Sequence, residues 1–410
     1  DGFADPETAL AEGFGAITVN AVPFDTDQPI QGSDVRTALH YLNADGKTKL
    51  TTKVSNVVFG LNKDHADVVD SYEGTLVTDG QDVEIYAYYV PNGANYDVYF
   101  LANDDIYAPK TCYALFYNGG AMSAMKSMDL SNLNTSRTTI MSRMFRNLPL
   151  KEIDVSGFDT SAVTDMDYMF YNCTALQTLD LSEWKVPALK TMYMMFGYNS
   201  KLQTADFTGW QTGSLENMAY TFGVCSNLKT IPGIENFDVS DVTTMAGTFM
   251  SCSSLQSRDL TKWAPSKVKD MNGMFQDCKS MVELKADTWK LDSVTTTFCM
   301  FKSCASLKTV EATNWGMPNN TNLGGMFREC GNLETVKSTN WTIDAAQDMV
   351  CIFLQCYKLK NVDTTNWNTG NVTDMYCLFG GSENLNGLDV ADWDVSKVTS
   401  FGGMFGSFNQ

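Results

Sequence analysis

Eleven cysteines, two histidines and a recurring column of aspartates are the residues of this chain whose types could do chemistry. Seven cysteines, Cys173, Cys225, Cys252, Cys278, Cys304, Cys330 and Cys356, each stand three residues after a phenylalanine. One thiol per recurrence is poor spacing for a metal, because the donors must converge and only His40 and His65 are available to join them. The spacing instead predicts a ladder of small buried hydrophobes, reduced and slow to react until the protein unfolds. Cys299, Cys351 and Cys377 fall two residues before the phenylalanine, which predicts a place off the core face, and Cys351 and Cys377 lie on adjacent copies. A methionine column through Met141, Met166, Met192, Met218, Met245, Met271, Met349 and Met375 follows the phenylalanines and predicts core filling rather than soft-metal binding. HExxH, GxSxG and GxxxxGKS/T are absent, so no catalysis, cofactor or metal is expected.

The acidic column lies four residues before a recurring aromatic and reads Asp129, Asp154, Asp180, Asp206, Gly233, Asp259, Lys285, Glu311, Lys337, Asp363 and Asp389. Two residues before the same aromatic stands a hydroxyl column that includes Ser182, Thr208 and Thr261. Carboxylates stacked at strand spacing repel one another modestly in water, so their recurrence favours a use. The candidate binding residues are Asp154, Asp180, Ser182, Asp206, Thr208, Asp259, Thr261, Lys285, Glu311, Lys337, Asp363 and Asp389. A merely solvated face is the competing reading.

What must position these columns is a repeat. The aromatics Phe158, Trp184, Trp210, Phe237, Trp263, Trp289, Trp315, Trp341, Trp367 and Trp393, preceded by a degenerate copy at Leu133, step by 25, 26, 26, 27 and then 26 residues. A phenylalanine column from Phe145 to Phe405 keeps the same step. A period of this length, with strand and helix patterns in one unit, predicts a solenoid of about eleven repeats. In VTDMDYMFYNC, Met166, Met169, Phe170 and Cys173 fall at i, i+3, i+4 and i+7, one face of a short helix with Thr164 as its N-cap. Leu176, Leu179 and Leu181 follow LxxLxL, the last two alternating as in a strand. The expected fold class is an α/β solenoid: a leucine-rich-repeat-like right-handed array with parallel strands and short convex helices, behind a small β-rich N-terminal cap. Eleven strands, five residues across, would offer a face of about 50 by 16 Å, or about 800 Å².

LQTLDLSEW, VTDMDYMFYNC, LDVADWDVSKVT and VDTTNWNTGNVTDMYCLF resemble the unit of the BspA-like leucine-rich-repeat surface proteins, seen also as a repeat domain in mycoplasma lipoproteins. The resemblance covers about residues 52–410 and implies an extracellular, often adhesive or partner-binding protein, with no shared catalytic residues. The expected function is a cell-surface, adhesin-like protein whose strand face binds an extracellular host or neighbour-cell protein carrying a basic patch. The alternative is a structural spacer or coat component, in which the solenoid is a rigid, self-associating rod.

Residues 1–45 carry no repeat and no signal-peptide pattern, so any targeting segment is expected to have been removed, and they form an extension of unassigned role. Residues 46–112 alternate in KLTTKVSNVVF, DVEIYAYYV and YDVYFLA, predicting antiparallel strands that cap the solenoid of residues 113–410. No run of 18 apolar residues exists, so no direct membrane insertion is expected. A net charge of −19 repels phosphate backbones and argues against nucleic acid.

Overall fold

The computed structural model describes residues 53–77 and 83–406, all within one compact unit, Gln31–Gln410. The extension 1–45, and His40 with it, lies outside the described residues. In β1 (Val54–Leu61) an irregularity between Val54 and Asn56 lets Val54 join the alternating Val57 and Phe59 in being buried. A short helix, α1 (Ala66–Ser71), and the two-residue β2 (Thr75–Leu76) lead into a hairpin of β3 (Tyr86–Asn92) and β4 (Asn95–Ala102), turned at Gly93 with φ +62°. The sheet order is β2-β3-β4-β1-β6, where β6 (Ser127–Asp129) belongs to the first rung. Only part of this region is antiparallel as expected: β1 runs parallel to β4 and to β6, with Val57 opposite Met128. The sheet ends on β6, so β1 covers the edge the first rung would otherwise expose.

Beyond a two-stranded pair of β5 (Ile106–Tyr107) and β7 (Leu133–Asn134), most rungs contribute one very short strand, while those that end at Phe158, Phe237 and Trp393 contribute none. β8 (Thr178–Asp180) pairs in parallel with β9 (Thr204–Asp206). β10 (Arg258–Asp259), β11 (Glu283–Lys285), β12 (Thr309–Glu311), β13 (Thr335–Lys337) and β14 (Asn361–Val362) form a second parallel sheet in that order. Partners differ by one repeat, as in Leu284 opposite Val310 opposite Val336. With strands of two or three residues, the face is narrower than expected, about 10 Å across at 3.3 Å per residue. The ladder breaks at Gly233, the one glycine in the aspartate column. There φ is +87°, and a Cβ would lie 2.5 Å from the Phe207 carbonyl carbon, so only glycine passes.

The expected convex helices are not formed. From Met166 to Asn172 the chain makes successive turns, because Tyr168 and Asn172 both sit at φ 56°, in the left-handed region that ends a helix. The N–H groups of Met166, Tyr168, Phe170 and Asn172 donate to Thr191, Tyr193, Met195 and Gly197 of the next rung at 2.8–3.0 Å. Between them, Met169 and Tyr171 close turns onto Met166 and Tyr168. Thr164 is no N-cap; its Oγ1 donates to the Thr139 carbonyl one rung back at 3.2 Å. The two left-handed positions recur in rung after rung, through Arg143 and Asn147, Tyr220 and Val224, Cys351 and Gln355.

Inside, phenylalanines from Phe116 to Phe379 stack on their rung neighbours with centroids 5.1–5.7 Å apart. Tryptophans form a second stack, such as Trp289 on Trp315 at 5.5 Å. From Trp184 to Trp341 each indole finds an acceptor in the preceding rung, as Trp184 donates to Val155 O, Trp210 to Leu181 O and Trp289 to Leu260 O at 2.8–2.9 Å, whereas the indole N–H groups of Trp367 and Trp393 are buried without a partner.

Val224, at φ 64°, is the β-branched residue among the left-handed positions, where asparagine stands in the rungs of Asn147 and Asn172. A left-handed residue with a branched Cβ costs about 1–2 kcal/mol, which asparagine largely avoids. Val224→Asn is expected to stabilise the protein by about 1 kcal/mol, read as a higher urea midpoint at unchanged slope.

Candidate functional site

The structure sorts the chemically promising residues by what they touch. All eleven cysteines are free and buried. Those of the main ladder are donors as well as fillers: Cys225 Sγ reaches the Phe196 carbonyl at 3.0 Å, Cys278 that of Phe249 at 3.2 Å and Cys330 that of Phe301 at 3.0 Å. Where the column lacks cysteine, Asn199 and Ser382 make the same bond, to Phe170 and Phe353. Apart from the rung of Phe145, where Leu148 fills the place without a donor, the position therefore takes a small buried donor, which cysteine satisfies weakly and with the right volume. Burial pushes the thiols of Cys173 and Cys225 up to about 12. Cys299, Cys351 and Cys377, which their spacing places off the core face, stand outside the hydrophobic core that takes in the main ladder, yet they too are buried, at 7, 8 and 2 % exposed.

The expected binding column is brought together in register, with Asp180 opposite Asp206 and Lys285 opposite Glu311 opposite Lys337. Its carboxylates also have local work. Asp154, Asp180, Asp206, Asp259 and Asp363 accept the N–H of the residue two further on, at 2.8–3.1 Å. For Asp154, Asp259 and Asp363 the Ser or Thr hydroxyl at that position bonds to the same oxygen at 2.7 Å. Asp389 does this to Ala391. Where the column carries aspartate the paired columns are thus Asx turns, which accounts for Ser182, Thr208 and Thr261 as well, while Lys285, Glu311 and Lys337 end their strands without one. These bonds hold the carboxyls of Asp154, Asp180 and Asp259 below the usual range. Lys337 and Glu311 pair across rungs at 2.7 Å, neutralising part of the mixed stretch.

A second surface, which sequence reasoning missed, lies on the Met–Phe run of five successive rungs. There Tyr113, Tyr117, Arg143, Arg146, Tyr168, Tyr171, Tyr193, Tyr198 and Tyr220 are exposed or half-buried. The Arg143 guanidinium lies 5.4 Å from the Tyr113 ring centre and 5.1 Å from that of Tyr168, while Arg146 lies 4.8 Å from Tyr171 and 5.8 Å from Tyr117. Tyr168 meets Tyr193 edge-on at 5.2 Å, and Tyr193 meets Tyr220 at 6.3 Å. The signal was present in SRMFRN, DYMFYN and YMMFGY, but a helix assignment scattered these side chains around a cylinder.

Beside Arg143 are the half-buried carboxyls of Asp165 and Asp167. Burial raises both, and with Asp165 adjacent Asp167 is pushed up to about 7. Asp167 Oδ1 accepts from Thr191 Oγ1 at 2.5 Å and from the Tyr193 N–H at 2.8 Å. No group of three or more metal-ligating side chains gathers among the described residues.

A sequence model of the family described as Mycoplasma protein of unknown function, DUF285, matches residues 111–230, 195–315 and 321–410. No match is found among curated proteins or among solved structures.

With a thiol-specific reagent the native protein is expected to show almost no reaction, and all eleven cysteines should react after denaturation. For Asp167 the folded value lies above the ordinary 3.8, so its stabilising share is full below the carboxylate range and is lost as pH rises toward about 7. Asp167→Asn keeps an acceptor for Thr191 and Tyr193 without the charge. Melting curves between acid and neutral pH should therefore fall less steeply for the variant than for the parent.

Proposed function

The chain belongs to the DUF285 family of Mycoplasma proteins, and from that premise we propose that it is an extracellular, cell-surface binding protein of adhesin type, with no catalytic role. In this reading its repeats are leucine-rich-repeat-like and BspA-like, wound right-handed, and a protein partner docks on the outward columns. The observation that carries the reading is register: identical outward positions recur one strand spacing apart, so a charge choice made once is repeated along the face. The aspartate-rich stretch Asp154, Asp180, Asp206 and Asp259 favours a partner with a basic patch, whose association slows as salt rises. The partner is an extracellular protein of a host or neighbouring cell.

Because these aspartates cap turns, charge and structure must be separated in the test. Asp180→Asn with Asp206→Asn preserves the Asx acceptors and removes two charges. The double variant is expected to melt within a degree or two of the parent, since exposed charges contribute about 0–1 kcal/mol, while cell binding drops several-fold. Undiminished cell binding would remove the strand face from the proposal. End-to-end or lateral assembly in a concentration series, with no cell binding at all, would favour a rod-like spacer instead.

A further inference from the structure

The tyrosine and arginine surface on the Met–Phe side has no part in the strand-face reading and lies on a separate run of each rung. Arg143 and Arg146 belong to one rung and are clasped by rings of the rungs before and after it. Among the described residues neither guanidinium enters an ion pair or a side-chain hydrogen bond. Both guanidiniums are therefore held in place by stacking; Arg146 Nε is buried without a partner, so it is the terminal Nη groups of Arg146 and the fork of Arg143 that are left for an oxygen anion. We propose that this surface docks a carboxylate-bearing peptide segment of a protein partner, its acidic side chains gripped by Arg143 and Arg146 and its backbone laid across Tyr168 and Tyr171.

Three considerations select that occupant. A planar guanidinium held by ring faces presents parallel N–H groups, the geometry that binds a carboxylate in bidentate fashion. Tyrosine and arginine are the side chains that dominate the centres of protein interfaces, and rings already packed at 5.2–5.4 Å lose little freedom when covered. The chain carries 48 acidic against 29 basic residues, yet three of its arginines, Arg137, Arg143 and Arg146, fall within ten residues. An acidic segment is repelled by most of the protein and accepted on this face. Five rungs at about 4.8 Å give roughly 20 Å, the length of about six extended residues. The carboxyls of Asp165 and Asp167 act on Arg143, which leaves Arg146 the stronger anchor.

The test is fluorescence anisotropy of a labelled hexaglutamate peptide titrated with the full chain at low salt, with hexalysine and a heparin oligosaccharide as parallel probes. Hexaglutamate should bind, and Arg143→Gln with Arg146→Gln should weaken it about tenfold or more while the melting curve is kept. Arg143→Lys with Arg146→Lys keeps the charge and loses the fork, so it should also weaken binding, by about threefold. The Asp180→Asn, Asp206→Asn variant should bind the peptide as the parent does, which separates this surface from the strand face. Absence of hexaglutamate binding, equal binding by the glutamine variant, or full retention by the lysine variant would each overturn the proposal. Tighter, arginine-dependent binding of the heparin fragment would overturn it in favour of a sulfated glycan.

Discussion

No rung of this protein can satisfy its own buried polar groups. The N–H of Phe170 needs the Met195 carbonyl, the Trp184 indole needs Val155, and the Cys278 thiol needs Phe249, each on a neighbouring rung. A buried donor without an acceptor costs about 1–3 kcal/mol, so a lone repeat would be destabilised many times over. Stacking in strict register is the only arrangement that supplies the acceptors. The constant period, the face-on phenylalanines and the parallel pairing all follow from it. So does the need for a non-repeating sheet at the first rung, where β1 supplies the partner strand that β6 would otherwise lack.

Much of this was legible in the sequence, because buried columns speak through residue type. Phe170, Trp184 and Cys173 recur at fixed offsets, and a long fixed period of large apolar residues has few folded solutions. The misreading of the Met–Phe run is equally instructive. Met166, Met169, Phe170 and Cys173 do face one way, but two left-handed residues placed four apart reproduce that face without a helix. Left-handed backbone is announced in sequence by glycine, and here most of those positions carry ordinary side chains such as Tyr168, Met194 and Glu329. The conformation is imposed by inter-rung bonds, and those are invisible to a single-copy reading.

The outward columns illustrate a different limit. Recurrence of Asp180 and Ser182 was plain, but recurrence alone does not separate a surface kept for a partner from one kept for a turn. The carboxylates do cap turns and still point their charge to solvent, so both demands act on one residue. The tyrosine and arginine patch escaped notice for the opposite reason. It is confined to five rungs and breaks the repeat, and a search for periodicity treats such departures as noise. In a repeat scaffold the departures are where individuality resides.

The serial bonding between rungs has a mechanical consequence. Load applied along the chain cannot be shared by the whole array, since each rung is tied only to the two beside it. Under tension the solenoid should yield one rung at a time, each release freeing a single repeat of slack, roughly 90 Å at 3.4 Å per residue. An array built this way would lengthen in steps and dissipate work at each one. It re-forms by laying the freed segment back on the exposed edge, where the next row of carbonyls and ring faces is already in position.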